Sequence, residues 1–207
     1  MVIVPDYTCY LVTDSRLLKA GTLEDAVEAA CRGGVTLVQL REKGASRDEL
    51  AEKAHSIKRV TDSFGVGLIV NDDPVVARDV DALGVHVGKD DMGVREAREI
   101  LGPEKVVGAS ARTVADALRA QADGADYLGI GAMASTSTKP DADVITIGRL
   151  REIIDAVDIP CVAIGGISEE TIPPLLGIGL AGFAIVSAIM AAEDIESATR
   201  RIRSIIK

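Results

Sequence analysis

The stretch VTLVQLREKGASRDELAEKAHSI, Val35–Ile57, contains one complete structural unit. Val35–Leu40 is a short apolar run without strict alternation, the pattern of a strand buried on both faces. Arg41–Ala45 is charged and carries Gly44, so the chain turns there. Ser46 with Glu49 three residues on has the spacing of a capping box. Leu50, Ala54 and Ile57 then share one face of a helix.

The unit repeats in both directions. Strand-like runs are expected at Tyr7–Val12, Val35–Leu40, Gly67–Val70, Gly84–His86, Val106–Ala109, Tyr127–Ile130, Cys161–Ile164 and Gly182–Val186. Amphipathic helices lie between them. Leu23, Ala26, Val27 and Ala30 form one apolar face behind the cap pair Thr22 and Asp25; Ile195, Ala198, Ile202 and Ile205 form another. Ser168 before Glu169 and Glu170 predicts a further helix start. Strict alternation of strand and helix implies parallel strands and right-handed crossovers. Eight such units close most naturally into a (β/α)8 TIM barrel, with a doubly wound open sheet as the alternative. A length of 207 residues is close to the lower bound of about 200 for such a barrel. Residues 1–207 are therefore expected to be a single catalytic domain, without linker or internal repeat beyond the βα period.

Composition narrows the function. Hydrophobic residues make up 47% and aromatics only 2%, which predicts a core of Ile, Val, Leu and Ala. The net charge of −9 argues against nucleic acid or an anionic membrane as partner, since both need a basic face. No apolar run approaches the length of about 20 residues that a membrane span needs. Cys9, Cys31 and Cys161 are odd in number and widely spaced, and no secretory leader pattern is present. A reducing, cytoplasmic setting is expected. A homo-oligomer is left open.

In a barrel of this kind the residues just after each strand face the active site. After the second strand, Gln39, Arg41 and Lys43 alternate onto one side, an amide and two cations. Arg can grip a phosphate with two hydrogen bonds and Lys adds a point charge. After the third strand, Asp73 with Pro74 reads as a helix cap, which leaves Asn71 and Asp72 for the mouth. After the fourth, Asp91 follows His86. Asp72 and Asp91 together could hold Mg2+, which commonly takes one or two carboxylates plus phosphate and water. His86, between Val85 and Val87, reads as a packed structural residue. Ser110 ends the fifth strand. The loop after the sixth runs through Thr136, Ser137, Thr138 and Lys139, hydroxyls and a cation suited to phosphate oxygens and long enough for a lid. Gly165 and Gly166 after the seventh strand, and Val186 and Ser187 after the eighth, stand where this fold repeatedly binds a phosphate monoester. Two anion sites with a metal between them suggest a diphosphate and a monoester, hence a transfer with diphosphate as leaving group.

These residues fall into ordered motifs: YLVTD at Tyr10–Asp14, VQLREK at Val38–Lys43, IVNDD at Ile69–Asp73, GVHVGKDD at Gly84–Asp91, GAS at Gly108–Ser110, DYLGIG and TSTKPDA within Asp126–Ala142, AIGGI at Ala163–Ile167 and IVSAI at Ile185–Ile189. In this series the chain resembles the thiamine phosphate synthase family along nearly its whole length. That resemblance implies a transferase that joins hydroxymethylpyrimidine diphosphate to thiazole phosphate through a pyrimidine-stabilised carbocation. It also implies that Gln39, Arg41, Lys43, Asn71, Ser110 and Lys139 bind the pyrimidine diphosphate. Of these, Arg41, Lys43, Lys139 and Ser110 would act in catalysis. Asp72 and Asp91 would hold Mg2+, and Thr136, Thr138, Gly166, Val186 and Ser187 would contact the thiazole phosphate. Two departures stand out: Lys89 where the family usually has Gln, and Ala132–Ser135 where it usually has Phe and Pro. The alternatives are a TenI-like thiazole tautomerase, another phosphosugar barrel enzyme, and a non-catalytic barrel that binds thiazole or thiamine phosphate. The cations, Asp72 and Asp91 weigh against the first and the last; the phosphosugar enzyme would want a catalytic Glu or Lys at a strand end, where Lys43 and Lys139 are the only plausible lysines.

Overall fold

The computed structural model of the chain describes residues 5–88, 92–134 and 144–206. Eight parallel strands form a closed barrel in sequence order. They are β1 (Cys9–Val12), β2 (Leu37–Leu40), β3 (Gly67–Asn71), β4 (Gly84–Val87), β5 (Val106–Ala111), β6 (Tyr127–Ile130), β7 (Cys161–Ile164) and β8 (Gly182–Ile185). Closure is parallel as well: Cys9 pairs with Phe183, Tyr10 with Ala184 and Leu11 with Ile185. The expected barrel is present and the open sheet is excluded.

The helices are α1 (Leu23–Gly33), α2 (Arg47–Ser63), α3 (Pro74–Asp79), α4 (Val94–Leu101), α5 (Val114–Ala122), α6 (Ile147–Ala156), α7 (Ser187–Met190) and α8 (Ile195–Ile206). Local chemistry explains their starts. Thr22 with Asp25 and Ser46 with Glu49 each make both halves of a capping box. Asp73 caps α3 by accepting from the amides of Val75 and Val76, with Pro74 in the first turn. No described helix is long and apolar enough to cross a membrane.

The helix expected after Ser168 does not form. The segment behind β7 contains only a 3-10 turn, Pro173–Leu175. Pro173 and Pro174 supply no amide hydrogens, and Gly177 and Gly179 take positive φ, so an α-helix cannot propagate there. The phosphate reading of this segment therefore has no helix dipole behind it.

The core has two layers. Strands and helices enclose the larger, aliphatic one, which includes Leu11, Val38, Val70, Val85, Leu128, Ile153 and Ile202. The inner layer differs from the aliphatic core expected from composition. All three tyrosines, Tyr7, Tyr10 and Tyr127, stand inside the barrel with Val12, Leu37, Ile69, Val106 and Val162. The rings of Tyr7 and Tyr127 lie 4.7 Å apart, and the Tyr10 and Tyr127 hydroxyls satisfy one another at 2.8 Å. Room for Tyr127 comes from Gly108, where a Cβ would fall 2.2 Å from the ring. A barrel interior must be filled by a few side chains, and large ones opposite glycine do so.

Candidate active site

Side chains tie down the segment that follows β2. Glu42 turns inward and is held by Thr13 Oγ1 (3.2 Å), Ser15 Oγ (2.5 Å) and Lys53 Nζ (3.0 Å). Lys43 lies in the turn beyond the strand, so the expectation that Gln39, Arg41 and Lys43 share one side fails at Lys43. The tip is also pinned by its backbone, since the Arg41 amide donates to Thr13 Oγ1 at 2.9 Å and the Thr13 amide to the Gln39 carbonyl at 2.9 Å. Next to it, Arg16 grips the buried carboxylate of Asp14 with two hydrogen bonds of 2.8 and 2.7 Å. Those bonds hold the Asp14 carboxyl below the usual range, and the charge of Arg41 adds to the effect.

A cleft of about 890 Å3 opens at the C-terminal ends of the strands. Gln39, Arg41, Asn71, Ser110, Gly165 and Val186 line it, together with His86. The sequence-predicted residues of β2, β3, β5, β7 and β8 thus converge on one space. Gln39 is only 3% exposed and donates from Nε2 to Tyr10 Oη at 2.7 Å, so it serves the barrel interior as well as the cleft.

Lys43 and Asp72 instead line a smaller neighbouring cleft of about 360 Å3, which shares Asn71 with the first. Lys43 Nζ pairs with Asp72 Oδ2. Asp72 holds a left-handed backbone, φ 67°, while its amide donates to the His86 carbonyl at 2.8 Å. A non-glycine residue in this region carries strain of order 1 kcal/mol, often found where a side chain is aimed for function. Among the described residues no group of three or more His, Cys, Asp or Glu side chains could hold a metal ion. Asp91, Thr136, Thr138 and Lys139 lie outside the described residues, as do Lys89 and Ser135 of the two departures.

Gly165 and Gly166 have φ of 86° and 72°. The structure supplies a reason for both: a Cβ at Gly165 would fall 2.8 Å from Ala132 Cα, and one at Gly166 would fall 2.5 Å from Ala134 Cβ. The amides of Met133 and Ala134 donate to the Gly165 carbonyl at 2.9 and 3.0 Å, so the glycines seat the start of the β6 loop. Ser187 is exposed at the first position of α7, just beyond Val186 in the cleft wall.

Sequence reasoning missed Tyr10 and Tyr127, which connect Gln39 to His86 behind the cleft wall. His86, read as structural, is buried and hydrogen-bonded as expected, but its Nε2 stands 3.1 Å from Ser110 Oγ. One signal was available: Tyr10 and Tyr127 are aromatic residues inside otherwise aliphatic strand runs.

A thiamine-phosphate synthase of Clostridium botulinum is 49% identical over 198 residues, covering 96% of this chain and 93% of that protein. One from Clostridium beijerinckii is 47% identical, covering 96% and 95%. The solved thiamine phosphate pyrophosphorylase of Pyrococcus furiosus superposes with a TM-score of 0.90 at 38% identity, covering 98% of this chain and 96% of that one. Residues 9–189 match the family described as thiamine monophosphate synthase, and with the barrel and its strand-end cleft in agreement, the chain belongs to that family.

Proposed function

We propose that residues 1–207 act as one transferase domain. It moves the hydroxymethylpyrimidine group from its diphosphate to the ring nitrogen of thiazole phosphate and yields thiamine phosphate and diphosphate. One observation carries the reading: Gln39, Arg41, Asn71, Ser110, Gly165 and Val186 line a single cleft at the strand ends.

In the reaction the bond between the pyrimidine methylene carbon and the diphosphate oxygen breaks, and the oxygen keeps the electron pair. The thiazole nitrogen then donates its lone pair to the resulting carbocation. No proton has to be removed from carbon, so no strong base is required. Charge on the departing diphosphate is the main demand. Arg41 offers a planar donor pair to it, Lys43 and Lys139 offer ammonium groups, and Ser110 offers a hydroxyl. Gln39 and Asn71 orient the pyrimidine diphosphate. Thr136, Thr138, Gly166, Val186 and Ser187 form the thiazole phosphate side. The loop bearing Thr136–Lys139 would keep water from the cation.

Mg2+ fits the donors present. Asp72 offers a hard carboxylate at the mouth, and its Oδ1 accepts no hydrogen bond among the described residues. Asp72 and Asp91 would hold the ion, which when bound would draw charge from the diphosphate. The three cysteines are buried free thiols, in keeping with a cytoplasmic setting.

The test is a coupling assay with both substrates and Mg2+, following thiamine phosphate and diphosphate, with EDTA as control. Metal-dependent appearance of both products in equal amounts is expected. If no product forms while thiazole phosphate still binds, the tautomerase or sensor reading replaces this one.

A further inference from the structure

A hydrogen-bonded chain crosses the inside of the barrel from β2 to β5. Gln39 Nε2 donates to Tyr10 Oη at 2.7 Å, and Tyr10 Oη lies 2.8 Å from Tyr127 Oη. Tyr127 Oη lies 3.0 Å from His86 Nδ1, and His86 Nε2 lies 3.1 Å from Ser110 Oγ. Gln39, Tyr10, Tyr127 and His86 are buried, whereas Ser110 is exposed to the cleft.

Counting hydrogens gives this chain a direction. A phenol has one hydrogen to donate. Tyr10 Oη accepts from Gln39, and among the described residues Tyr127 Oη is the one hydrogen-bond partner left to take the Tyr10 hydrogen, which would otherwise be stranded in a buried site. Burial pushes both phenols well above their ordinary pKa, and each keeps its hydrogen. The Tyr127 hydrogen then goes to His86 Nδ1, and the imidazole carries its hydrogen on Nε2, facing Ser110 Oγ. With a hydrogen on Nδ1 instead, Tyr127 Oη would receive two, and its own would be stranded in a buried site. Such an unmade bond is costly.

We infer that Tyr10, Tyr127 and His86 are positioning residues that carry the orientation of the Gln39 amide to Ser110, so that Ser110 presents its hydroxyl hydrogen, not a lone pair, to the cleft. Ser110 and His86 have the spacing of a nucleophile and its base. The ordered chain removes that option, because Nε2 already holds a hydrogen and cannot take another from Ser110. It leaves a fixed donor suited to an anionic oxygen, and this last step rests on the proposed coupling reaction.

The test has two arms. The only other histidine is His55, exposed on α2. In a His55→Gln variant, 15N NMR reads the His86 ring alone. A hydrogen on Nε2 is expected; a hydrogen on Nδ1 overturns the inference. The second arm is a double-mutant cycle in the coupling assay. Tyr127→Phe is expected to lower kcat/KM about tenfold, the upper range for one hydrogen bond. Added to Ser110→Ala, it should cause no further loss. Independent, multiplying losses would assign Tyr127 a merely structural role and overturn the inference. The NMR arm needs no turnover, so it still decides the chain's direction if the coupling reaction itself fails.

Discussion

Lys43 and Asp72 form an ion pair across the ends of β2 and β3, with side chains 44% and 26% exposed. A pair this open contributes at most about 1 kcal/mol to folding, because water screens it and two side chains must be ordered. Its geometry instead keeps an ammonium and a carboxylate together at the edge of the cleft, where a diphosphate and a divalent cation would separate them.

Lys43→Ala is therefore expected to leave the melting temperature almost unchanged while turnover in the coupling assay drops by about 10²–10³, the usual effect of removing one preorganised charge donor. Turnover within about twofold of the parent would take Lys43 out of the leaving-group site. The twofold figure is set at about half a kcal/mol, the scale of a spectator surface pair.

Gly108→Ala is expected to destabilise the barrel by about 1–3 kcal/mol, the ordinary range for overpacking. A Cβ there would fall 2.2 Å from Cε1 and Cζ of Tyr127, whose ring is fully buried and has nowhere to retreat. Gly148→Ala is the contrast. It lies exposed in α6, its Cβ would meet nothing nearer than Thr146 Oγ1 at 3.7 Å, and a gain of about 0.5–1 kcal/mol is expected from helix propensity. Urea midpoints of the two variants read both signs. Equal effects would show that the clash at Gly108 relaxes without cost.

The Asp14–Arg16 contact makes stability depend on pH. The Asp14 carboxyl titrates below the usual range in the folded state, chiefly through its hydrogen bond from Arg16. A depressed folded value gives stability that is present above the unfolded pKa of about 3.9 and lost as pH falls through the lower folded value. Arg16→Leu should melt below the parent at pH 7, and the gap should close as the pH is lowered through and below that range. A gap that stays constant from neutral to acid pH would mean that Arg16 acts through packing alone.

Much of this molecule was legible in local patterns. Short apolar runs without strict alternation marked the eight strands. Thr22 with Asp25, Ser46 with Glu49 and Asp73 with Pro74 marked helix starts, because a cap is a contact between residues two or three apart. Alternation placed Gln39 and Arg41 together at the main cleft but not Lys43, which lies in the turn beyond β2. Local reading failed at Ser168, where a plausible cap precedes two prolines that no helix can include beyond its first turn. It also failed for the inner core, since a composition poor in aromatics does not say where the few tyrosines go.

The sequence alone thus determined the strands, their parallel order and the helix starts marked by caps at Thr22, Ser46 and Asp73, all of which follow from neighbours a few residues apart. Tertiary structure alone decided which residues meet inside. Tyr10 and Tyr127 are 117 positions apart, and Tyr127 and His86 are 41 apart. They touch because pairing of β1 with β8 closes the sheet and turns alternate side chains toward a common axis. No local periodicity records that curvature, so the pairing of Lys43 with Asp72 and the line from Gln39 to Ser110 exist only once the barrel has closed.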